Sequence, residues 1–139
     1  MTSYLLDTNV VSELRRRRPD EAVLAWFDRA TASELYLSAL TIGELRQGIE
    51  SLRRRDPRGA EALESWHTGL LSAYADRIVP VDAAVADRWG RLNVPDRVPV
   101  VDGMLAATAL VHGWTLVTRN ISDVRRTGVQ TLNPFLPAD

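Results

Sequence analysis

Residues 4–14 read YLLDTNVVSEL: a short apolar run ends at Asp7, and polar residues follow it. Tyr4-Leu5-Leu6 is typical of a buried strand, because a short apolar run bounded by polar residues suits the covered interior of a sheet. The residues beyond Asp7 predict a short helix from Val10 to Arg17, which ends near Pro19 because proline cannot continue a helix. A strand followed at once by a helix indicates the first unit of an α/β fold.

The rest of the chain repeats this alternation of short apolar runs and helical segments. Further strands are predicted at 35–38, 78–81, 115–118 and 129–132. Pro80 favours an edge strand or a strand end for 78–81. Further helices are predicted at 21–30, 41–55, 60–74, 82–92 and 102–112. Breaks are expected at Pro57 and Gly59, and loops at 93–101 and 119–127. Strands that alternate with helices predict a parallel sheet with helices on both of its faces.

The composition bounds the class of protein. A chain of 139 residues suits one domain with one hydrophobic core, and we expect residues 1–139 to form it. The absence of cysteine excludes disulfides, thiolate zinc sites and cysteine nucleophiles. No apolar run approaches the roughly 18 residues of a membrane helix, and the N-terminus does not read as a cleaved signal peptide. We therefore expect a cytoplasmic protein without membrane contact.

The net charge of −1 conceals an uneven set of basic residues, because all 17 are arginine. A coding bias explains the missing lysine most simply. Arginine nevertheless clusters at 15–18 and 53–55, and its planar guanidinium group suits paired hydrogen bonds to phosphate. The balanced total argues against a protein that coats nucleic acid through bulk charge, but it allows a basic rim around an acidic centre.

Four acidic residues lie where a parallel α/β sheet gathers its functional groups, beyond the carboxyl ends of strands. They are Asp7, Glu44, Asp102 and Asp123. Each also has a structural interpretation, because acids stabilise helix N-termini. Thr41-Ile42-Gly43-Glu44 is a capping-box pattern with Glu44 at the third helical position, and residues 120–123 are similar. Asp82 is assigned to capping alone.

The conjunction of these acids favours chemistry over capping. Carboxylates brought together repel each other, and a divalent cation relieves that repulsion. Magnesium prefers oxygen ligands, whereas the lack of cysteine and the presence of only two histidines argue against zinc. A metal in such a site can activate water for phosphodiester hydrolysis, with no covalent nucleophile. Residue types and spacing alone leave this as one possible reading of the acids.

Four stretches of the sequence resemble the motifs of PIN-domain nucleases, and more specifically the VapC and FitB group of toxins from type II toxin–antitoxin pairs. The first is 5–14, and the second is 37–49, which contains Glu44. The third and fourth are 102–109 and 115–120, and the ending 132–135 is also similar. The four motifs occur in order at family-like separations, so the likeness spans nearly the whole chain.

The resemblance implies a PIN-like three-layer α/β/α sandwich with a central parallel sheet of about five strands. It implies that Asp7, Glu44 and Asp102 meet as an acidic core, in which Asp7 and Asp102 hold Mg²⁺ (or Mn²⁺) and Glu44 completes the site or orients water. Asp123 is the best match to the fourth acid of the family, although Val124 stands where many relatives have phenylalanine. Supporting polar roles would fall to Thr8, Asn9, Thr118 and Asn120.

The resemblance further implies an endoribonuclease that cleaves RNA with metal-activated water. It implies a homodimer, a cognate antitoxin that inserts a segment into the acidic groove, and operator DNA bound only through the antitoxin. Two alternatives stay open: a catalytically silent PIN-like binding module, and a housekeeping RNA-processing nuclease of the same fold. Arg46 and Arg119 adjoin the acidic motifs, where each contacts either phosphate or a neighbouring acid. We expect structural or exposed positions for both histidines, and packing roles for the four tryptophans.

Overall fold

A computed structural model of the chain describes residues 2–137. Five parallel strands form its sheet: β1 (Tyr4–Leu6), β2 (Leu35–Ser38), β3 (Ile78–Val79), β4 (Thr115–Val117) and β5 (Thr131–Leu132). Their order across the sheet is β3-β2-β1-β4-β5, so the first strand along the chain lies at the centre. In the register, Leu5 pairs with Tyr36 on one side and with Leu116 on the other. The predicted parallel sheet is confirmed. Both readings of Pro80 hold, because β3 lies at the edge of the sheet and Pro80 directly follows its last residue.

In the part of the chain that the structure describes, seven α-helices connect the strands. They are α1 (Thr8–Glu13), α2 (Glu21–Arg29), α3 (Ala39–Arg53), α4 (Pro57–Ala73), α5 (Ala83–Leu92), α6 (Val100–His112) and α7 (Ile121–Val124). Short 3-10 turns cover Ala32–Glu34 and Arg125–Thr127. Within residues 2–137, none of the helices combines the length and the apolar character needed to cross a bilayer.

The alternation of side chains along β1 divides the core into two layers. Leu6 belongs to a buried cluster with residues of α1, α2 and α3 on one face of the sheet. Leu5 belongs to a second cluster on the opposite face, with residues of α6 and α7. Both side chains are fully buried, so the central strand is covered on both sides. This arrangement confirms the predicted three-layer α/β/α sandwich.

Several helix boundaries differ from the sequence prediction, and each has a local cause. Pro57 and Gly59 belong to α4 and do not form a break before it. Pro57 is at the first position of the helix, where proline needs no N–H partner. Asp56 caps the helix, because its carboxylate accepts from the Gly59 N–H at 3.0 Å. The loop predicted at 119–127 contains α7 and a 3-10 turn. The predicted cap at Asp82 is confirmed, because its carboxylate accepts from the Val85 N–H at 3.0 Å.

The start of α3 matters most for function. The predicted capping box at Thr41 is wrong, because the N-cap of α3 lies three residues earlier. Ser38 is its N-cap, and the Ser38 hydroxyl accepts from the Leu40 N–H at 3.1 Å. Glu44 is therefore at the sixth helical position instead of the third. The free N–H groups of a helix lie in its first turn, so the Glu44 carboxylate has no capping role.

Candidate active site

A cavity of about 560 Å³ opens beside the carboxyl end of β1, between α1, α3 and α6. Ten described residues line it, and six of these were predicted as site residues from the sequence. The six are Asp7, Thr8, Asn9, Glu44, Asp102 and Asn120. The three acids predicted as the core, separated by up to 95 positions along the chain, thus share one concave surface. We call this surface the acidic cavity.

Asp7 lies where β1 passes into α1, and only 5% of it is exposed. Its carboxylate makes no capping hydrogen bond to α1. It accepts instead from the buried hydroxyl of Thr118 at 2.8 Å and from the side-chain amide of Asn9 at 3.5 Å. The pKa of Asp7 is raised, mainly by burial and further by the charge of Glu44. The Thr118 hydroxyl and the nearby amides of Thr8 and Asn9 lower the pKa, but by less. Asp7 is the N-cap residue of α1 by position, but its carboxylate contacts Thr118 and Asn9, so its partners favour a role beyond capping.

Glu44 is fixed by a residue of the first motif. The Thr8 hydroxyl donates to Glu44 Oε1 at 2.5 Å, and Thr8 Oγ1 also lies 3.2 Å from the buried Thr41 Oγ1. This contact joins α1 to α3, the helices that follow β1 and β2. The charge of Glu44 in turn reaches Asp7 and raises the pKa of that carboxyl.

Asp102 is at the third position of α6, because that helix starts at Val100, two residues earlier than predicted. No group among residues 2–137 donates a hydrogen bond to its carboxylate. Burial raises the pKa of Asp102 to about 6, with further upward contributions from the charges of Asp7, Asp123 and Glu44. A carboxylate with like charges nearby and no donor is costly to keep ionised. This side chain is therefore the one in the cavity that most needs an added cation.

Asp123 lies at the rim of the site. Its side chain is exposed on α7 and does not line the acidic cavity, but its charge reaches Asp102 and raises the pKa of that group. Thr118 lies behind the cavity: its hydroxyl donates to Asp7 and accepts from the Asn120 N–H at 2.9 Å. Asn9 adds a further link, since its side-chain oxygen accepts from the Arg119 N–H at 3.3 Å.

The two arginines proposed from the sequence have other contacts. The Arg46 guanidinium makes paired contacts of 2.7 Å with both carboxylate oxygens of Glu64, and a third contact of 3.0 Å with Glu50. The Arg119 guanidinium lies over the ring of Phe135, 4.0 Å from its centroid. Neither arginine lines the acidic cavity. Of the two contacts that the sequence allowed for Arg46, phosphate or a neighbouring acid, the structure shows the contact with an acid.

The model of the PIN domain family matches residues 4–128. The chain belongs to the PIN domain family. VapC ribonuclease Y4jK of Sinorhizobium fredii is 38% identical over 141 residues, which cover 96% of this chain and 99% of that protein. Toxin FitB of Neisseria gonorrhoeae is 36% identical over 138 residues, which cover 94% and 97%. The structure of FitAB bound to an IR36 DNA fragment matches 98% of both chains at 32% identity, with a TM-score of 0.89. The resemblance to the VapC and FitB group is confirmed.

The donor set of the PIN-domain cavity fits a hard divalent cation. Carboxylate oxygens are the preferred ligands of magnesium. Burial raises the pKa values of Asp7 and Asp102 most, neighbouring carboxylates raise them further, and no arginine lines the cavity to offset that charge. Among residues 2–137, no group of three or more acidic or histidine side chains is placed so that it could hold a metal ion. Magnesium does not need three protein ligands, because it keeps several waters and binds one or two carboxylates together with substrate phosphate. The cavity therefore suits an open magnesium site.

Sequence reasoning missed four residues of the cavity wall: Ser12, Pro99, Val100 and Val101. Ser12 could have been found, because it lies four positions after Thr8 and so shares its face of α1. The other three precede Asp102, and the prediction that α6 starts at Asp102 left them in a loop. The two histidines are absent from the wall: His67 is buried on α4, and His112 is exposed and stacked on Trp114. Trp26 packs in the core, and no tryptophan lines the cavity.

Proposed function

We propose that this PIN domain is the toxin of a type II toxin–antitoxin system and a magnesium-dependent endoribonuclease. The observation that carries the proposal is the meeting of the Asp7, Glu44 and Asp102 carboxylates in one cavity whose lining contains no basic side chain. The names of the relatives, a VapC ribonuclease and the toxin FitB, support it. The reaction is hydrolysis of an RNA phosphodiester bond by water.

Asp7 and Asp102 are the proposed ligands of magnesium, for which manganese can substitute. The bound cation supplies positive charge and Lewis acidity at the phosphate. Thr118 positions Asp7, because its buried hydroxyl donates to the carboxylate and favours the ionised form. Thr8 positions Glu44 in the same way, so that the free oxygen of Glu44 can complete the site or accept a proton from water. Asp123 adds negative charge at the rim.

The partners follow from the same proposal. We infer a homodimer, and a cognate antitoxin that inserts a segment into the acidic cavity and thereby blocks RNA. Operator DNA is bound through the antitoxin, as supported by the similarity to FitAB bound to a DNA fragment. Growth arrest on expression, relieved by co-expression of the cognate antitoxin, distinguishes this toxin from a housekeeping RNA-processing nuclease of the same fold.

Mapping of cleavage sites on total RNA tests the activity. The purified chain should cut RNA with magnesium or manganese and should stop when EDTA is added. Asp7→Asn and Asp102→Asn should each lower the cleavage rate by at least about a hundredfold while the far-UV circular dichroism stays native. Full activity in either variant would refute the assignment, and a wild-type chain without EDTA-sensitive turnover would identify a silent binding module.

A further inference from the structure

A second concave surface lies at the far end of α1 and α3. Its volume is about 350 Å³, and we call it the arginine groove. Its lining residues are Arg15, Arg16, Gly48, Leu52, Arg55 and Leu63. Three of the six carry positive charge and none carries negative charge, so its electrostatic character is opposite to that of the acidic cavity.

The arginine groove continues the acidic cavity along α3. Glu44 lines the cavity, and Gly48, Leu52 and Arg55 line the groove. The spacings of four residues place Glu44, Gly48 and Leu52 on one side of α3, and Arg55 follows in the turn beyond the end of the helix, where its N–H donates to the Leu52 carbonyl at 3.0 Å. At a rise of 1.5 Å per residue, Leu52 lies about 12 Å along the helix axis from Glu44. The two concavities are therefore separated by only a few nucleotides of an extended strand.

The other wall shows the same relation. Thr8 and Ser12 of α1 line the acidic cavity, and Arg15 and Arg16 follow at the next turn and line the groove. The turn continues past the end of α1, because the Arg15 N–H donates to the Ser12 carbonyl at 3.3 Å. One seam between α1 and α3 thus leads from the carboxylates to the arginines.

The charges of the groove are available to a ligand. On α3, Arg46 and Arg53 are held by glutamates, with contacts of 2.7 Å and 2.9 Å to Glu64. Among residues 2–137, by contrast, no carboxylate lies within ion-pair distance of Arg15 or Arg55. Arg16 contacts both carboxylate oxygens of the buried Glu13, at 3.3 Å and 3.4 Å, but two thirds of its side chain is exposed.

The floor of the groove is open at Gly48. This glycine is exposed in the interior of α3, and a Cβ there would meet no atom within 4 Å. Packing therefore does not explain why this position is glycine. Glycine in a helix interior is destabilising by about 0.5–1 kcal/mol relative to alanine. Its lack of a side chain leaves a clear path along the seam.

We propose that the arginine groove binds backbone phosphates of single-stranded RNA a few nucleotides from the bond that is cut. This inference rests on the proposed function. The acidic cavity repels the phosphates that it must accept, so attraction for the strand has to come from outside it. Guanidinium groups supply this attraction through paired hydrogen bonds to phosphate and release of counterions. The strand then runs along the α1–α3 seam and across Gly48.

Two double variants with the same loss of charge provide the first test. Arg15→Ala/Arg55→Ala removes groove arginines, whereas Arg17→Ala/Arg54→Ala removes exposed neighbours that do not line it. Binding of a fluorescein-labelled oligouridylate is measured against salt concentration in an Asp102→Asn background, so that the RNA is not cut. The groove pair should lower the slope of log affinity against log salt by about 1.4, because each phosphate contact in a single strand contributes about 0.7. The control pair should change it far less.

Blocking the path provides the second test. Gly48→Met should lower the cleavage rate of a long oligouridylate at least about tenfold and leave that of diuridylate unchanged. Gly69→Met is the matched control, because Gly69 is also an exposed helical glycine with open space around it, on α4. Both variants should fold, and only Gly48→Met should lose cleavage of the long RNA.

The outcomes separate this inference from the proposed function. Equal slopes for the two arginine pairs, or equal cleavage by the two methionine variants, would overturn the groove proposal while EDTA-sensitive cleavage by the wild type still stands. An intact RNA slope combined with lost binding of an acidic protein segment would assign the groove to a protein partner and overturn the proposal. Absence of any wild-type cleavage would instead reject the proposed function.

Discussion

Two acid-rich regions of this molecule have opposite electrostatic environments. In the acidic cavity, Asp102 has like charges around it, and its pKa is raised to about 6. In the α3–α4 ion-pair cluster, formed by Arg46, Glu50, Arg53, Glu61 and Glu64, hydrogen bonds from Arg46 lower the pKa of Glu64 to about 2. Both regions contain ordinary carboxylates on helices, and one is neutralised by its own chain while the other is not.

The difference shows that local neutralisation, not acidity, distinguishes a site from a surface. Glu44 and Glu50 belong to the same helix, only six residues apart. Glu44 is held by a neutral hydroxyl and faces Asp7, whereas Glu50 contacts two arginines. Repulsion within a carboxylate cluster that has no basic partner destabilises the metal-free protein, and a bound cation removes that repulsion. Of the two regions, the acidic cavity is therefore the one that a bound metal ion would stabilise more.

The largest effect is expected when one glutamate in each region is replaced by glutamine and the two variants are compared. Glu44→Gln should lower RNA cleavage by at least about a hundredfold, because it removes a charge from the proposed metal site while keeping the shape of the side chain. Glu50→Gln, on the same helix, should stay within about twofold of the wild type. Initial rates on total RNA at saturating magnesium measure both. Equal losses would mean that the distinction between the regions does not govern activity.

A smaller effect is expected on the stability of the metal-free protein. Asp102→Asn removes a group whose pKa is raised from 3.8 to about 6, a shift worth up to about 3 kcal/mol before solvent screening is considered. Part of that gain is offset, because an acid in the first turn of α6 is favourable to the helix dipole. We expect a net increase of about 1 kcal/mol in the free energy of unfolding in urea at pH 8.

The sign follows from proton linkage. The folded state binds the Asp102 proton more tightly than the unfolded state, so the contribution of this group is most favourable below pH 4 and is lost as the pH rises through 6. The advantage of Asp102→Asn should therefore shrink as the pH falls from 8 to 4. Excess magnesium should reverse the order of stability at pH 8, since only the wild type keeps both proposed ligands. A variant less stable than the wild type at pH 8 without metal would contradict the assigned repulsion.

The smallest effect is expected in the ion-pair cluster. Arg46→Ala should lower stability at neutral pH by less than the Asp102 change raises it, because exposed ion pairs contribute little and Arg53 still contacts Glu64. The pKa of Glu64 is lowered from 4.5, so its contribution is present above pH 4.5 and is lost as the pH falls towards 2. Unfolding curves at pH 7 and pH 3 measure the difference. RNA cleavage should be unchanged. A large loss of cleavage would indicate that Arg46 contacts the RNA substrate.

The sequence predicted the sheet well because its strands are short apolar runs that end abruptly. Tyr4–Leu6 and Leu35–Ser38 were placed with their observed bounds, and the cap at Asp82 was placed correctly. Helix starts were less predictable. The serine at 38 and the threonine at 41 are both competent caps, and only the end of β2 decides that the helix begins after the first of them.

By itself, the sequence determined the layered fold and supplied hard oxygen ligands after successive strands, because apolar periodicity and residue chemistry are local properties. It could not determine which charges remain without a partner. Glu64 lies 18 residues from Arg46, and Thr118 lies 111 residues from Asp7, yet each pair is in direct contact. Tertiary packing decided that the arginines of one helix face neutralise the glutamates of α4 while the acidic cavity keeps its charge, since such interactions depend on distance in space and on burial.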